Sequence, residues 1–505
     1  MSAPVVGRFA PTPSGRLHLG NLLCALIAYL SARSQGGRFL LRIEDLDTPR
    51  CPKRLCDAAV SDLAWLGVAW DEPPLVQSER TDVYRRYFDA LDEKGLLYPC
   101  FCTRAELHAA SAPHREDGQV IYPGTCARLT AEEAAVQYND TLYALHASRG
   151  DAWGGGDAAG LDYYPTEKPA FTDNVMPDEV RALYLNGSAI QYADSYIRLA
   201  QGTGINAFVV DIVDGTAVSY ASPVMQQYSP SAYAAAQDTM EGFKANVQKL
   251  RDAGYYVIGR ITVFNDAHLA ADHPEYVISD LNGTPLKISS MYWPSAYNRT
   301  VWQYKVDLAL EAAALGFNEI QFDYIRFPDG AYKYEQAGTI DYKNTYGESK
   351  AQAVQRFLIY AAQRLHDAGY YISGDVFGEC ANAYVTACGQ YWPAISSVVD
   401  AISGMPYPDH YSAQGDYKPW EHPYTTVYNF GESAMARQSE TASPGAVRTW
   451  IQCYNAIREP YNHYGAAELA DEVRALRDAG CTGGFMTWNG ASDIDKYAEV
   501  ISALS

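Results

Sequence analysis

The chain repeats one joint between a helix and a strand. The sequence reads LRDAGYYVIGRIT at 250–262, LHDAGYYISGDVF at 365–377 and LRDAGCTGGFMTW at 476–488, and AALGFNEIQFDYI at 313–325 is close to the same pattern. In each copy a helical segment meets a glycine, which readily adopts the left-handed conformation that ends a helix, and an apolar strand follows almost at once. These joints predict parallel strands linked by helices.

The C-terminal 325 residues contain eight apolar stretches that predict strands. They lie at 180–186, 205–211, 255–261, 317–323, 370–375, 400–405, 447–453 and 481–488. Helical segments separate most of them, for example 238–253, 299–315, 349–367 and 465–479. Eight strands alternating with helices predict a (β/α)8 TIM barrel. A doubly wound open sheet is the alternative, because strand number alone does not prove that the sheet closes.

The N-terminal part predicts a second, separate α/β fold. Strands at 5–9 and 38–43 alternate with helices around 19–34, 54–66 and 80–95, which is typical of the start of a parallel sheet. Residues 131–178 are rich in Gly, Asp, Pro and Ala and have no apolar period, which indicates a linker. We therefore predict domains at 1–130 and 179–505, joined by the linker 131–178.

Charge is distributed unevenly between these parts. Residues 1–130 carry 15 basic and 15 acidic side chains, so the whole net charge of −21 lies after residue 130. An acidic barrel disfavours contact with nucleic acid and favours a neutral substrate such as a sugar. The sequence has no run of 18 apolar residues and no signal-peptide pattern, so we expect a cytoplasmic protein without membrane contact. Its ten cysteines are too sparse for a disulfide scaffold.

The first candidate site lies in the stretch RFAPTPSGRLHLGN, residues 8–21. His18 and Asn21 stand at the start of a predicted helix, where free N–H groups and the helix dipole favour phosphate. Gly20 would let a flat base approach the backbone. Taken alone, HLGN can equally be a polar helix cap.

The neighbouring motifs extend the interpretation. RFAPTPSG and the stretch LLRIEDLDTPR at 40–50 resemble the glutamyl-tRNA synthetases, and the short bacterial glutamyl-Q-tRNA(Asp) synthetases in particular. The resemblance covers residues 5–128. It implies a Rossmann-like class I fold in which His18, Gly20 and Asn21 hold ATP.

The same resemblance implies a glutamate pocket in which the substrate is held by Arg8, Ser14 and Glu44. Such a pairing is chemically sound, because a guanidinium can bind a carboxylate through two hydrogen bonds and a carboxylate can take an ammonium. It also implies tRNA as a partner.

A zinc site is implied as well. The short synthetases carry Cys-x-Cys followed by Tyr-x3-Cys, and this chain reads CFC at Cys100 and Cys102 and YPGTC at Tyr122 and Cys126. Three thiolates and a phenol oxygen could form a tetrahedral zinc site. Buried free thiols are the alternative.

The resemblance ends near residue 130. The family's second half, with its lysine loop of the KMSKS type, has no counterpart there, and LKISS at 286–290 lies beyond the third predicted barrel strand. Losing one electrostatic contact of this kind commonly costs on the order of 10²–10³ in rate. We therefore expect an incomplete synthetase half.

The second candidate site lies where the predicted barrel strands end, because barrel enzymes place their chemistry there. Polar and aromatic side chains at these ends are Asp211, Asp214, Arg260, Asp323, Arg326, Asp375, Glu379, Tyr407, Asp409, His410, Gln452, Trp488 and Asn489. Paired carboxylates near a sugar ring are the usual machinery of glycoside hydrolysis. No pair of histidines has metal-ligand spacing, so no cofactor is expected in the barrel.

The stretch GFNEIQFDYIRFP at 316–328, with GMPYPDHY at 404–411 and GFMTWNG at 484–490, resembles a bacterial family of glycoside hydrolases with an α-amylase-like barrel. The resemblance runs from about 178 to 505. It implies a catalytic Asp323 on strand 4 and a partner acid on strand 5, either Asp375 or Glu379.

The remaining strand-end side chains would bind the substrate. Many amylase-like enzymes carry a third acid on strand 7, but this chain has Gln452 there, which leaves Asp211 or Asp409 as substitutes. Arg260, Arg326, Tyr407 and Trp488 would contact an oligo- or polysaccharide.

Several functional readings therefore stand side by side. The first is a fusion of an ATP-dependent, glutamate-activating half with a hydrolytic barrel, and the second keeps only the barrel as an enzyme. The third is a non-catalytic barrel that binds polysaccharide, preceded by a degenerate nucleotide-binding fold. A reading frame that joins two unrelated genes would also produce this sequence.

Overall fold

A computed structural model describes residues 5–46, 51–92, 94, 96–98, 126–129, 161, 168–441 and 443–504. The chain divides into two compact units, residues 1–138 and 139–505. Most of the predicted linker 131–178 lies outside the described residues.

The first unit begins a parallel α/β sheet, as the sequence predicts. Its strands are Val6–Phe9, Arg38–Ile43 and Leu75–Val76, hydrogen-bonded in that order and all parallel. Its helices are Leu19–Ser34, Lys53–Trp65 and Thr81–Asp92, with 3-10 turns at Ser78–Arg80 and Cys126–Arg128. The apolar side chains of the middle strand, Phe39, Leu41 and Ile43, are buried against the first two helices.

The second unit contains eight principal parallel strands. In chain order these barrel strands are Val180–Leu185, Ala207–Gly215, Tyr256–Asp266, Glu319–Asp323, Tyr371–Phe377, Ala401–Met405, a seventh in two segments (Ala446–Val447 and Thr449–Gln452) and Gly484–Trp488. Short additional strands are Ala217–Val218, Ser279–Asp280, Lys287–Ile288, Met291–Tyr292 and Ile340–Asp341.

The sheet formed by the eight strands is nearly closed. Each strand pairs with the next along the chain, and the eighth pairs with the first, with Gly484 opposite Val180. The seventh strand completes the ring, because its first segment pairs with the sixth strand and its second segment pairs with the eighth. The predicted TIM-like barrel is confirmed, and the open-sheet alternative is wrong.

Helices connect the strands on the outside of the barrel. Their bounds are Ala193–Ala200, Pro223–Tyr228, Pro230–Ala234, Met240–Asp252, Ala267–Asp272, Arg299–Ala313, Tyr332–Gln336, Lys350–Asp367, Trp392–Ser396, Pro423–Ser439, Ala466–Asp478 and Ile494–Val500. Within the described part of the chain, none of the helices is both long and apolar enough to cross a bilayer.

The repeated joints have the geometry that their glycines predict. Helices ending at Asp252, Asp367 and Asp478 are followed by Gly254, Gly369 and Gly480, whose φ angles are 89°, 84° and 86°. A side chain with a Cβ adopts these angles only at a cost, so glycine sets the point at which each helix turns into the next strand.

Alternation along the strands separates the barrel interior from the layer under the helices. On the first strand, Val180, Ala182 and Tyr184 lie in the interior cluster, whereas Leu183 and Leu185 pack in the outer one. Near the N-terminal end, the buried Glu319 accepts hydrogen bonds from the Tyr256 hydroxyl at 2.9 Å and Arg448 Nη1 at 2.7 Å. Because its charge is paired, Glu319 has a structural role. The acids of the candidate site lie at the other end of the barrel, where the strands end.

Candidate active site

A single guanidinium connects three buried acids at the C-terminal end of the barrel. Arg260, on the third strand, is only 2% exposed. Its Nη1 lies 2.8 Å from Asp211 Oδ1, its Nη2 lies 2.6 Å from Asp323 Oδ2, and its Nε lies 3.8 Å from Asp375 Oδ2. The second, fourth and fifth strands thus each direct one carboxyl group at the same cation.

Asp375 is the most deeply placed of these acids. Its side chain is fully buried, and Trp450 Nε1 donates a hydrogen bond to its Oδ1 at 2.9 Å. Its Oδ2 has no hydrogen-bond partner within the described part of the chain. Burial, reinforced by the negative charge of Asp323, raises the pKa of Asp375 well above its ordinary value. Its surroundings therefore favour the protonated form of Asp375.

Asp211 is buried below the same cation. Burial raises its pKa from 3.8 to about 7, although the charge of Arg260 opposes this shift. The Tyr184 hydroxyl, from the first strand, donates a hydrogen bond to Asp211 Oδ2. Of the three buried acids around Arg260, Asp323 has the closest contact with the guanidinium, at 2.6 Å from Nη2.

A cavity of about 250 Å³ opens above this cluster. Its lining consists of Asp214, Arg260, Asp323, Tyr324, Arg326, Phe377, Met405, Tyr407, His410, Trp450 and Trp488. Asp323 and the 38% exposed Asp214 are the two acids of this lining, whereas Asp211 and Asp375 lie behind it. The cavity therefore combines two accessible carboxylates with two arginines and an aromatic wall.

The end of the fourth strand is held in an uncommon conformation. Tyr324, directly after Asp323, has φ of 52°, and its N–H donates to Asp323 Oδ1 at 2.5 Å. Two residues later the Arg326 guanidinium lies 4.2 Å from the ring centre of Phe377 and 5.2 Å from that of Trp293. The hydrogen bond from the Tyr324 N–H thus restrains the Asp323 carboxylate, and Arg326 is held by the neighbouring rings.

Aromatic rings form the opposite side of the cavity. Trp450 and Trp488 meet edge to face with centroids 5.6 Å apart, and Tyr184 lies 4.7 Å from Trp488. Burial raises the pKa of Tyr407 and lowers that of His410, so at neutral pH both side chains face the cavity uncharged. Flat apolar faces beside polar groups are suited to contact with a sugar ring.

Three of the predicted site residues lie away from this cavity. Asp409 accepts hydrogen bonds from the Tyr454 hydroxyl at 2.8 Å and the Ile457 N–H at 3.1 Å, while Gln452 Oε1 accepts the Asp409 N–H at 3.3 Å. These contacts hold together the loops after the sixth and seventh strands. Glu379 is exposed and lines a neighbouring cavity instead.

Two residues that make important contacts at the site were not among the predicted site residues. Tyr184 binds Asp211, and Trp450 binds Asp375. Alternation offered a signal for Trp450, because it precedes Gln452 by two residues and so faces the same side of the strand. Tyr184 similarly ends an interior-facing row on the first strand.

The first unit places the HLGN residues at a capped helix start. The His18 ring accepts the Gly20 N–H at its Nδ1 at 3.1 Å, and Asn21 Oδ1 accepts the His18 N–H at 3.2 Å. A Cβ at Gly20 would lie 3.1 Å from the His18 ring, so glycine suits this position. The exposed start fits a nucleotide, but the His18 ring already uses N–H groups that the sequence suggested would be free.

The predicted glutamate pocket is only partly assembled. Arg8 is exposed and, among the described residues, has no acidic partner. Glu44 accepts a hydrogen bond from Arg42 and lies 3.5 Å from the Thr12 hydroxyl. Ser14 is in the loop between the first strand and helix. Arg8 is thus available to a carboxylate ligand, while Glu44 is already paired with a cation.

The predicted zinc site falls largely outside the described residues. Cys100, Cys102 and Tyr122 are not described, whereas Cys126 is buried at the start of the turn Cys126–Arg128. No group of three or more His, Cys, Asp or Glu side chains suited to a metal occurs in the part of the chain that is described. The zinc site stays a prediction.

Two family matches divide the chain in the same way as its two folds. Residues 182–494 match the family described as "Putative glycosyl hydrolase domain". Residues 4–145 match the family described as "tRNA synthetases class I (E and Q), catalytic domain". Together the matches account for both predicted resemblances.

Individual relatives match one part of the chain each. Glutamyl-Q tRNA(Asp) synthetase of Symbiobacterium thermophilum is 53% identical over 144 residues, which are 26% of this chain and 45% of that protein. The chain spans about half the length of the curated relatives it matches. A crystal structure of a hypothetical protein from Ruminiclostridium thermocellum is 32% identical, with 38% of this chain and 97% of that one covered and a TM-score of 0.33. The PgaB (BpsB) glycoside hydrolase domain from Bordetella bronchiseptica is 14% identical, with 64% and 99% covered and a TM-score of 0.44.

Proposed function

The chain belongs, through residues 182–494, to the family described as "Putative glycosyl hydrolase domain", and from that membership we propose that its barrel hydrolyses glycosidic bonds. The observation that carries the proposal is the placement of Asp323 and Asp375 on one buried guanidinium, that of Arg260. Two acids in unlike surroundings beside one cavity are what this reaction requires, one as proton donor and the other as nucleophile or base.

The two acids differ because their surroundings differ. Asp323 accepts hydrogen bonds from Arg260 at 2.6 and 3.2 Å, which favours a carboxylate able to act as nucleophile or base. Asp375 has no such close cation contact and is fully buried, which favours the protonated form that can pass a proton to the leaving oxygen. One carboxyl oxygen of Asp323 and one of Asp375 lie close to the same atom, Nε of Arg260. The two carboxyl groups are therefore near enough to act on one bond.

A second candidate for the proton donor is Asp214. It lines the cavity directly, whereas Asp375 lies behind the lining. Its Oδ1 is 3.5 Å from Arg260 Nη1, so it belongs to the same charge cluster. Solvent access thus favours Asp214, and the raised pKa favours Asp375. We assign the donor role to Asp375, because a general acid must carry a proton at the working pH.

Hydrolysis is tested with the full-length protein on soluble oligosaccharides and aryl glycosides, with release of reducing ends as the readout. Asp323→Asn should lower turnover by roughly three orders of magnitude or more, because the reacting carboxylate is lost. The control is Asp252→Asn, an exposed acid at the end of the helix Met240–Asp252. Turnover in the Asp323 variant equal to that of the wild type would refute the proposal.

A separate comparison of variants tests which acid is the proton donor. Asp375→Asn should abolish most hydrolysis of substrates with poor leaving groups and spare activated aryl glycosides, since these need less proton donation. If Asp214→Asn shows that pattern and Asp375→Asn does not, Asp214 is the donor. Binding of oligosaccharide without any product in the wild type would support the non-catalytic barrel.

For the first unit we propose binding of ATP and glutamate. The family match of residues 4–145 and the exposed Arg8 support this, and tRNA is the partner that the matched relatives' printed name suggests. ATP, when bound, would supply the adenylyl group that activates the glutamate carboxylate, and pyrophosphate would be the leaving group. His18, Gly20 and Asn21 would hold the nucleotide, and Arg8 would bind the glutamate side chain or main-chain carboxylate.

Calorimetry with ATP and glutamate tests binding, and glutamate-dependent exchange of pyrophosphate into ATP tests activation. We expect binding, which Arg8→Ala should abolish for glutamate, and exchange at background, because no lysine loop of the KMSKS type follows in the sequence. Exchange well above background would show that the unit activates glutamate. An absence of ATP binding would make the nucleotide-binding interpretation wrong.

A further inference from the structure

A second cavity adjoins the one above Asp323. It has a volume of about 340 Å³, and its lining consists of Phe377, Gly378, Glu379, Met405, His410, Tyr411 and Arg458. Phe377, Met405 and His410 belong to both linings. The two cavities are therefore adjacent, and they lie at the exits of the fifth and sixth strands.

A third cavity, also about 340 Å³, extends the same path. It shares Gly378, Glu379 and Tyr411 with the second and continues to Asn382, Tyr417 and Asn429. Glu379 lines both the second and the third cavity, as His410 lines both the first and the second. We refer to the three adjoining cavities, beside the loops that follow the fifth and sixth barrel strands, as the groove.

The size of the first cavity argues that the substrate uses this groove. At about 250 Å³ it is below the range of roughly 300–1,000 Å³ that encloses most small-molecule ligands. It can hold only a small part of an oligosaccharide at the acids. Any further sugar units need a surface beyond it, and the second cavity adjoins it.

The second cavity offers groups of both signs. Glu379 contributes a carboxylate, hydrogen-bonded to the Tyr384 hydroxyl at 3.1 Å. Arg458 contributes an exposed guanidinium whose Nη1 donates to the Tyr411 carbonyl oxygen at 3.4 Å. Acceptors and donors together suit the hydroxyl groups of a neutral sugar, which act as both. A cavity specific for an acidic or a basic sugar would carry one sign in excess.

We propose that this groove binds a neutral glycan chain of at least three units, with Glu379 and Arg458 holding the second unit away from the cleaved bond's cavity. The inference rests on the proposed hydrolytic function for the identity of the first cavity. It gives Glu379 a binding role in place of the catalytic one that the sequence suggested, and it makes the substrate an extended chain.

Binding to a hydrolysis-deficient protein tests the groove separately from catalysis. Full-length Asp323→Asn protein is titrated by calorimetry with malto-, cello- and chito-oligosaccharides of two, four and six units. We expect one series to bind roughly tenfold more tightly at six units than at two, since the longer chain reaches further cavities. In the same protein carrying Glu379→Gln and Arg458→Ala, that gain should fall to about twofold or less.

Matched controls are Glu432→Gln and Arg474→Ala, exposed residues on the helices Pro423–Ser439 and Ala466–Asp478, which should keep the gain with chain length. Three outcomes would overturn the inference. They are equal affinity for oligosaccharides of two and six units, a gain in affinity with length that survives the groove substitutions, and the absence of binding in every series. Binding of oligogalacturonate alone would also overturn it, because the ligand would then be acidic. Chain-length-dependent binding without hydrolysis by the wild type would sink the proposed function and leave the groove intact.

Discussion

Nη2 of Arg260 lies 2.6 Å from Oδ2 of Asp323, and the two side chains are 2% and 7% exposed. A charge pair so deeply buried is costly to assemble, because both ions lose their water. Removing one partner is costlier still, since the other is left uncompensated. The pair therefore links the stability of the barrel to the chemistry of its cavity.

Replacing Arg260 should damage both properties. In Arg260→Met the carboxyl groups of Asp211, Asp323 and Asp375 lose their common cation, so we expect the free energy of unfolding to fall by about 3–5 kcal/mol and hydrolysis to fall to background. Urea denaturation and the reducing-end assay measure the two effects. Arg474→Met, at an exposed position, is the control. A stability within about 0.5 kcal/mol of the wild type would show that the cluster does not need its cation.

Stability should depend on pH through Asp211. Its pKa is raised to about 7 in the folded chain and is 3.8 without the fold, so the folded state binds the proton more tightly. The corresponding stability is complete below about pH 3.8, declines as the pH rises toward 7 and changes little above that. The slope can approach about 1.4 kcal/mol per pH unit.

Asp211→Asn should remove this part of the slope. Hydrogen exchange of the strand Ala207–Gly215, measured from pH 4 to 8 and corrected for intrinsic exchange, reports the local free energy of opening. The variant should show a flatter dependence than the wild type or Asp252→Asn. Parallel curves for all three proteins would mean that Asp211 titrates normally.

The upper pH limit of hydrolysis should move when Trp450 is replaced. Its Nε1–H donates to Asp375 Oδ1 and favours the ionised form, thereby limiting how far burial raises the pKa of Asp375. In Trp450→Phe that pKa should rise further, by up to about one unit. The alkaline limb of the pH profile of kcat/KM should shift to higher pH. This shift is expected whether or not the maximum value of kcat/KM changes.

Profiles between pH 5 and 10 measure this shift, with Trp70→Phe in the first unit as the control. A limb that stays in place would argue that Asp375 is not the titrating donor. The same profile measured on Asp214→Asn shows whether the limb belongs to Asp214 instead.

The first unit should weaken in acid through Asp71. This carboxylate accepts the Phe39 N–H at 2.6 Å and a bond from Arg33 at 3.0 Å, and these contacts lower its pKa below 3.8. A lowered pKa stabilises the fold above pH 3.8, and the contribution is lost as the pH falls through the folded-state value.

Asp71→Asn should therefore speed hydrogen exchange in the strand Arg38–Ile43 at pH 7, and the difference from the wild type should shrink toward pH 3. Asp89→Asn, an exposed acid paired with Arg85, should leave exchange in that strand unchanged at both values. If the difference in exchange between Asp71→Asn and the wild type is the same at every pH, the effect comes from the shape of the side chain and not from its charge.

The strand pattern of the barrel could be predicted from sequence because it depends on local chemistry. The glycines at 254, 369 and 480 mark helix ends, and apolar runs follow them, so the predicted strands overlap the observed ones. Two strands continue well past their predicted ends: the third was predicted to end at 261 but continues to Asp266, and the second was predicted to end at Asp211 but continues to Gly215. Register shifts between Asp211 and Val213 and between Val213 and Gly215 allow this continuation.

The candidate site was less accessible from sequence because it depends on contacts between distant loops. Strand alternation is enough to direct Asp323, Asp375 and Arg260 to the interior. It cannot show that Asp409 meets Tyr454, 45 residues away, or that Glu379 emerges outside the first cavity. Those outcomes follow from the paths of the loops after the fifth, sixth and seventh strands.

At Tyr324 the requirement for stability conflicts with the requirement for activity. Its left-handed backbone, φ 52°, costs a residue with a Cβ about 1–2 kcal/mol, and glycine would avoid that cost. Glycine would also free the peptide whose N–H restrains Asp323 and remove a ring from the cavity wall. Selection for heat tolerance alone would thus be expected to drift toward glycine at position 324, whereas selection for turnover would keep tyrosine, so laboratory evolution under each pressure should diverge at this one codon.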